Sequence, residues 1–268
     1  MSVEAVLEAH KLVAGYEQRT VLDCVDFAMH RGGMVALLGP NGAGKSTLLR
    51  ALTGVLSITS GQVLLRGKPL SNYTRRQLAR IMSVVPQMTS VLFSFSAMEY
   101  VLMGRTPHLG RLQSESMEDR QIALEAMQAT DTEYLCDRPV TELSGGELQR
   151  LAIAKSLAQQ TPVMLLDEPT AFLDISHQIQ ILQLLRSLNQ EHDKTILCVS
   201  HDLNLTATFF DRVVLMQNGA VIDDGPPDRV ITAERIEQVY GAQVLVDRSP
   251  TGRPRVSIPL ATAAGDRS

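Results

Sequence analysis

The chain has 268 residues, 44% of them hydrophobic and 20% charged, with a net charge of −4. This is the make-up of a globular protein with room for one large domain. The dispersed basic residues exclude nucleic-acid binding through bulk electrostatics, and 4% aromatics with no Trp argue against a stacking platform for single strands.

In chain order, residues 3–27 read as short strands around a turn at Ala14-Gly15, with Val21, Leu22, Val25 and Phe27 facing a core. An Arg31-Gly32-Gly33 turn leads into an apolar run, Met34-Val35-Ala36-Leu37-Leu38, as expected of a strand buried on both faces. Gly39 to Ser46 then read G-P-N-G-A-G-K-S, and a helical pattern follows from Thr47. This is a phosphate-binding loop between a buried strand and a helix. The spacing has a chemical reason. A triphosphate is densely anionic and must be wrapped by donors. Gly39, Gly42 and Gly44 permit positive φ, so that successive N–H groups point inward as an anion nest. The start of the following helix adds its partial positive charge. Lys45 brings a full charge to the outer phosphates, and Ser46 offers a hydroxyl to Mg²⁺. Pro40, Asn41, Ala43 and Thr47 complete the candidate nucleotide-binding segment.

Residues 61–67 read as another strand between turn glycines, and 80–86 as a short strand ending at Pro86-Gln87. From 96 to 160 the pattern turns helical, with Ile122, Ala123, Ala126 and Met127 on one face and Leu148, Leu151, Ala152, Ala154 and Leu157 on another. After Pro162 the strands 163–166, 195–199 and 213–216 alternate with the helices 175–188 and 203–210. Short apolar strands alternating with helices imply a parallel sheet wrapped by helices. The reading is an α/β P-loop NTPase with a parallel-sheet core, an N-terminal antiparallel β subdomain and an α-helical subdomain inserted at about 88–160. One domain is expected over 1–246, with a turn-rich, loosely held tail over 247–268. Cys24, Cys136 and Cys198 have neither metal-ligand nor C-x-x-C spacing and fit a reducing cytosol. Cys24 and Cys198 lie in apolar contexts and are expected as small core residues. The start at Met1-Ser2-Val3-Glu4 lacks a secretory leader pattern. No apolar stretch reaches the roughly 20 residues that cross a bilayer, so work at a membrane would need a partner to hold the chain there.

Two further strings carry chemistry. Val163-Met164-Leu165-Leu166 runs into Asp167-Glu168. Read alone, such a run is equally an ordinary core strand with an acidic end. Downstream of a phosphate loop, Asp167 sits at the carboxyl edge of the sheet, where it can hold the Mg²⁺ water shell. Glu168 points the other way and can orient an attacking water, or stand as a solvated acid. Leu143-Ser144-Gly145-Gly146-Glu147 places a capping Ser and two glycines at a helix start, a second anion site.

With G-P-N-G-A-G-K-S, L-S-G-G-E, the strand ending Asp167-Glu168-Pro169-Thr170, and Ser200-His201-Asp202, the chain resembles the ATP-binding-cassette (ABC) transporter ATPases over about residues 3–245. That resemblance implies a head-to-tail homodimer, each ATP lying between one phosphate loop and the partner's Ser144, Gly145, Gly146 and Glu147. It implies Gln87 as a loop residue touching Mg²⁺ or the water and linking sheet to helical insert. It also implies His201 as a γ-phosphate ligand, Asp174 as a residue communicating across the dimer, and Tyr16 stacked on adenine. A lone Tyr is otherwise usually core or rim. The implied catalytic set is Glu168, His201, Lys45 and Gln87, and the implied Mg²⁺ set is Ser46, Gln87 and Asp167. Gly33 stands where such cassettes often have Glu, Phe172 is bulkier than the usual residue, and Leu148 replaces a frequent polar one. None of these removes a phosphate contact, and hydrolysis is expected.

Val101-Leu102-Met103-Gly104-Arg105-Thr106-Pro107-His108 and Phe172-Leu173-Asp174-Ile175-Ser176-His177-Gln178 resemble the importers of iron-siderophores, haem and vitamin B12. This implies two separate membrane permease subunits, a periplasmic or extracellular solute-binding protein, no nucleic acid, and a peripheral place on the cytoplasmic face of the inner membrane. Import over export rests on that resemblance alone. The rivals are a cassette serving another cargo or export, and a soluble non-transport cassette. The latter would carry long coiled-coil heptads, which the sequence lacks, or two internal repeats, also lacking. A nucleotide-binding module without catalysis would be expected to lose Glu168 or His201. A GTPase would need an N-K-x-D element.

Overall fold

The computed structural model describes residues 5–17, 19–87, 94–110 and 113–259. Its centre is a six-stranded sheet in the order β10-β9-β3-β8-β7-β6. The strands β3 (Met34–Leu38), β6 (Met82–Val85), β7 (Val163–Asp167), β8 (Thr195–Val199) and β9 (Arg212–Gln217) run parallel, and β10 (Ala220–Gly225) pairs antiparallel with β9. Every residue of β3, β7 and β8 is buried. The apolar runs work because alternate side chains face opposite sides. Val35, Leu37, Val163, Leu165, Leu197 and Val199 enter one core, and Met34, Ala36, Met164, Leu166, Ile196 and Cys198 enter the other. Each such Leu, Ile or Val contributes roughly 1.5–3 kcal/mol.

The first core is closed by an antiparallel sheet, β2-β1-β4-β5. It comprises β1 (Ala5–Tyr16), β2 (Arg19–His30), β4 (Ile58–Leu65) and β5 (Lys68–Pro69). Two expectations change here. β1 runs straight through Ala14-Gly15 to Tyr16. Gly15 is small because a Cβ there would strike the Arg19 carbonyl of β2, not because the chain turns. Cys24 is exposed rather than in the core. Between the pairs Leu12↔Val25 and Ala14↔Leu22, β2 carries an extra residue, and Cys24 takes φ 53. This bulge throws its side chain outward.

The phosphate loop enters α1 (Lys45–Leu52), and α2 (Arg75–Ile81), which the sequence pattern did not reveal, leads into β6. The inserted block packs α3 (Ala97–Leu102), α4 (Met117–Ala129) and α5 (Gly145–Ala158) around Val101, Met127, Leu135 and Leu151. Its expected boundary near 88 lies outside the described residues. The V-L-M-G-R-T-P-H stretch is its internal brace. Arg105 is buried and donates to Asp119 Oδ1 (2.9 Å), Ala158 O (2.8 Å) and Gln160 Oε1 (3.0 Å). His108 Nε2 lies 2.9 Å from Gln159 O, and Arg76 and Arg80 of α2 donate to Pro107 O at 2.9 and 2.8 Å. A Cβ on Gly104 would meet the Lys155 carbonyl. The motif thus glues three helices together and ties them to α2.

After β7 come α6 (Ile175–His192), α7 (Leu203–Phe209), α8 (Pro227–Val230) and α9 (Ala233–Tyr240). The stretch from Asp247, expected as turn-rich, carries strand structure among the described residues. Strands β11 (Leu245–Arg248) and β12 (Pro254–Ser257) form a hairpin. Asn204 of α7 accepts from Val256 N–H (2.8 Å) and donates to Val256 O (3.1 Å), while Arg253 reaches Asp211 at 3.0 Å. The turn residues at 249–252 close the hairpin. No helix among the described residues is long and apolar enough to cross a membrane.

Candidate active site

The site lies along the carboxyl ends of β3, β7 and β8, where an open parallel sheet gathers ligands. In the phosphate loop Gly39, Gly42 and Gly44 have φ of 149, 81 and 99°. Gly44 caps α1, and a Cβ on Gly39 would strike the Met216 carbonyl. Lys45 is buried and curls back, donating to Gly39 O at 2.7 Å and Pro40 O at 3.1 Å. Burial pushes its ammonium below the usual lysine range, while Glu168 and Asp167 pull the other way.

Ser46, the second residue of α1, donates its hydroxyl to Asp167 Oδ1 at 2.8 Å. Burial raises the Asp167 carboxyl, the Ser46 hydrogen bond opposes this, and Glu168 adds to the rise. Glu168 takes φ 50, and its N–H donates to Val199 O at 3.1 Å, extending the β7–β8 pairing by one residue. Its carboxylate receives Gln87 Nε2 at 2.9 Å and faces His201 Nδ1 at 3.5 Å. His201 is held from both sides. Ser200 N–H donates to Leu37 O at 3.1 Å, and Asp202 caps α7 by accepting from Leu205 N–H at 2.8 Å. Thus Lys45, Ser46, Gln87, Asp167, Glu168 and His201, far apart in sequence, meet in one place.

The L-S-G-G-E segment stands apart. Ser144 and Glu147 form a reciprocal capping box on α5, with Glu147 N–H to Ser144 Oγ at 3.3 Å and Ser144 N–H to Glu147 Oε2 at 2.8 Å. Arg138 donates to Glu147 Oε1 at 3.3 Å. These contacts, the Ser144 N–H first, hold the Glu147 carboxyl below its usual range. The Ser144 hydroxyl hydrogen and the first helical N–H groups, at Gly145 and Gly146, remain available to an anion. Among the described residues no hydrogen bond or ion pair joins this helix start to the phosphate loop.

One chain therefore presents a polar cluster around the phosphate loop and, unconnected to it by hydrogen bonds among the described residues, a capped glycine helix start. Residues 22–171 match the ABC transporter family. The chain belongs to that family. The cassette is 37% identical to the ferric enterobactin transport ATP-binding protein FepC of Escherichia coli K12, over 97% of this chain and 96% of that one. It is 43% identical to the hemin import ATP-binding protein HmuV of Nocardia farcinica, over 90% and 83% of the two chains. Among solved structures it is similar to the dimeric, ADP- and Pi-bound cassette MJ0796, with TM-score 0.75 and 28% identity over 82% of this chain and 98% of that one. It is also similar to a metal-chelate type ABC transporter in an inward-facing conformation, with TM-score 0.82 and 26% identity over 96% and 99% of the chains. Like the family, the cassette is an ATP-binding ATPase.

Tyr16 of the cassette is 41% exposed at the end of β1, and its hydroxyl accepts from Arg50 Nη1 at 3.0 Å. The ring is thus pinned beside α1, the phosphate-loop helix. The sequence reading missed two supports. Arg50 is one. The other is the Asn218-Gly219 turn between β9 and β10, where Gly219 N–H donates to Ala43 O at 3.0 Å and Gly219 O accepts from Asp23 N–H at 3.1 Å. Asn-Gly between two strands is a hairpin signal, and both residues have positive φ, 50 and 79°. The signal for the turn was present, but its contact with the phosphate loop was not.

Proposed function

We propose that this cassette hydrolyses ATP to drive an importer for an iron-siderophore, haem or cobalamin-type ligand. It would act as a homodimer with two permease subunits, on the cytoplasmic face of the membrane, fed by a solute-binding protein on the other side. One observation carries the catalytic reading: a single chain brings Lys45, Ser46, Asp167, Glu168, Gln87 and His201 together, yet among the described residues no hydrogen bond or ion pair joins the Ser144 helix start to them. Two copies, head to tail, complete two nucleotide cages. The names of the relatives and the two group-like stretches support the choice of cargo class.

The donor set fits Mg²⁺. The Ser46 hydroxyl, the Asp167 carboxylate and the Gln87 amide oxygen are hard oxygen ligands. When bound, the ion would neutralise charge on the phosphates. The chain's own groups do the rest. Lys45 and the start of α1 bind the β- and γ-phosphates, and His201 holds the γ-phosphate. Glu168, an anion steadied by Gln87, orients a water in line with the γ-phosphorus. Water adds to phosphorus as the bond to the ADP oxygen breaks, giving ADP, phosphate and a proton. The partner's Ser144, Gly145 and Gly146 close over the same γ-phosphate, and Tyr16 offers its ring to adenine. Asp174 communicates between the two sites. Glu147 acts by capping its own helix. A groove of 620 Å³ between the end of α1, α2 and α5, including Val55, Leu78, Val84 and Lys155, gives a permease segment contact with both sheet and helical bodies.

The test is fractionation with neighbouring subunits. The cassette should pellet with two polytopic membrane proteins and show ATPase activity stimulated by ligand-loaded binding protein. Recovery with DNA or ribosomes would overturn the transporter reading. Lys45→Ala should abolish ATP binding by equilibrium dialysis; unchanged affinity would overturn the phosphate-loop assignment.

A further inference from the structure

The Phe172–Gln178 stretch has a mechanical role in the fold. Residues 170–174 lead from Glu168, at the end of β7, to Asp174, the N-cap of α6. Two side chains in the first turn of α6 reach back to this loop. His177 Nδ1 lies 2.9 Å from both carboxylate oxygens of Asp174, and His177 N–H donates to Asp174 Oδ1 at 2.9 Å. Gln178 Nε2 donates to Thr170 O at 3.3 Å, fastening the other end. Between these ties Phe172 is held at φ 64 and is 70% exposed, a conformation a bulky residue rarely keeps unaided. Leu173 is packed into the core beside Met164 and Leu166.

The same loop lies on the start of α5. A Cβ on Gly146 would stand 3.3 Å from Leu173 Cδ2, and one on Gly145 would stand 4.0 Å from Phe172 Cβ. One end of the loop therefore begins at Glu168, which serves the chain's own nucleotide. Its middle supports the Gly145-Gly146 surface, which serves the partner's. A change in loop shape reaches both.

We infer that His177 and Gln178 are positioning residues that fix the 170–174 loop in one conformation and so couple the two nucleotide sites of the dimer. The inference rests on the dimer-communication reading of Asp174 above. An N-cap bond alone engages one carboxylate oxygen and leaves the group free to rotate. The imidazole contact to both oxygens removes that freedom, and the Gln178 tie stops the loop from peeling at Thr170. Without these ties the loop exchanges its internal partners for water and samples several shapes.

The test is ATP hydrolysis by the full-length chain across an ATP titration, for wild type, Asp174→Ala, His177→Ala, Gln178→Ala, His177→Asn and the Asp174→Ala/His177→Ala double variant. His177→Ala should lower kcat roughly tenfold, the fold-change for loss of one hydrogen bond to a carboxylate, and Gln178→Ala, which loses a neutral hydrogen bond, about threefold to tenfold. They should also flatten a sigmoidal ATP dependence, while equilibrium ATP binding at protein concentrations that disfavour the dimer stays at the wild-type value. His177→Asn, whose side-chain amide can reach the Asp174 carboxylate, should recover most of the loss. The double variant should be no worse than Asp174→Ala. Wild-type kcat and cooperativity in His177→Ala, with Asp174→Ala impaired, overturns the clamp alone. Wild-type behaviour in Asp174→Ala overturns the reading of Asp174 on which the clamp rests.

Discussion

Gln87 Nε2 donates to Glu168 Oε2 at 2.9 Å, across 81 positions of sequence. Gln87 leads out of β6 towards the helical block, and Glu168 directly follows β7, the strand beside it. The carboxylate proposed to orient water is therefore held by the residue at which the chain leaves β6 in the direction of the helical block. Glu168→Gln keeps the shape and removes the anion. Turnover should fall by about two to four orders of magnitude, the usual worth of a positioned base, with ATP affinity retained and an ATP-trapped dimer seen by size exclusion. Near-normal turnover in that variant removes Glu168 from its role.

Ser144 caps its own helix and, on the proposed dimer, serves the partner's nucleotide. Ser144→Ala removes the α5 cap, which should lower stability by about 1 kcal/mol in any chain that carries it. Its catalytic effect should appear in trans. In dimers mixing Ser144→Ala with Lys45→Ala chains, one cage carries both lesions and the other neither. Such mixtures should recover activity that neither homodimer has. Failure of mixing to restore any hydrolysis would show that the two half-sites do not complete one another.

The Arg105–Asp119 pair braces the helical block, and both side chains are almost wholly buried. Arg105→Ala strands a carboxylate and two further acceptors, Ala158 O and Gln160 Oε1, and should cost about 3–5 kcal/mol in denaturant unfolding. The same pair sets a pH dependence. The Ser116 N–H first, then Arg105, hold the Asp119 carboxyl at about 2. A carboxyl depressed in the folded state stabilises above its unfolded value and loses that contribution as pH falls towards the folded one. The stability gap between wild type and Asp119→Asn should be constant above about pH 5 and shrink between about pH 4 and 2. A gap that does not change over that window would count against the assignment.

Cysteine labelling tests the β2 bulge. Cys24 is exposed, whereas Cys198 is buried and its thiol is pushed up by burial. Only the thiolate reacts. Iodoacetamide should label Cys24 in the native protein and Cys198 only after unfolding, as read by peptide mass spectrometry. Labelling of Cys198 at the rate of Cys24 would contradict the packing of β8.

The buried strands were legible because a strand covered on both faces must be apolar throughout, and β3, β7 and β8 are. The phosphate loop was legible because its glycines are demanded by local backbone geometry. By contrast, α2 is a short polar helix with no buried residue, so it lacks an apolar stripe to betray it. The C-terminal hairpin was missed because Arg253 and Val256 find their partners on the α7 side of the fold, at Asp211 and Asn204. Cys24 was misplaced because one inserted residue reverses the facing of a strand, and composition does not report register.

The sequence by itself determined which chemistry is present: a loop that must wrap phosphate, an acid-tipped strand, a capped glycine helix start, and the order in which they come. Local backbone preferences and hydrophobic period act over a few residues, so they can be read without neighbours. Only the tertiary structure decided who stands beside whom. Ser46 meets Asp167, Gln87 and His201 meet Glu168, and the Asp174 loop rests on Gly145 and Gly146, because parallel strands bring distant residues to one edge of the sheet.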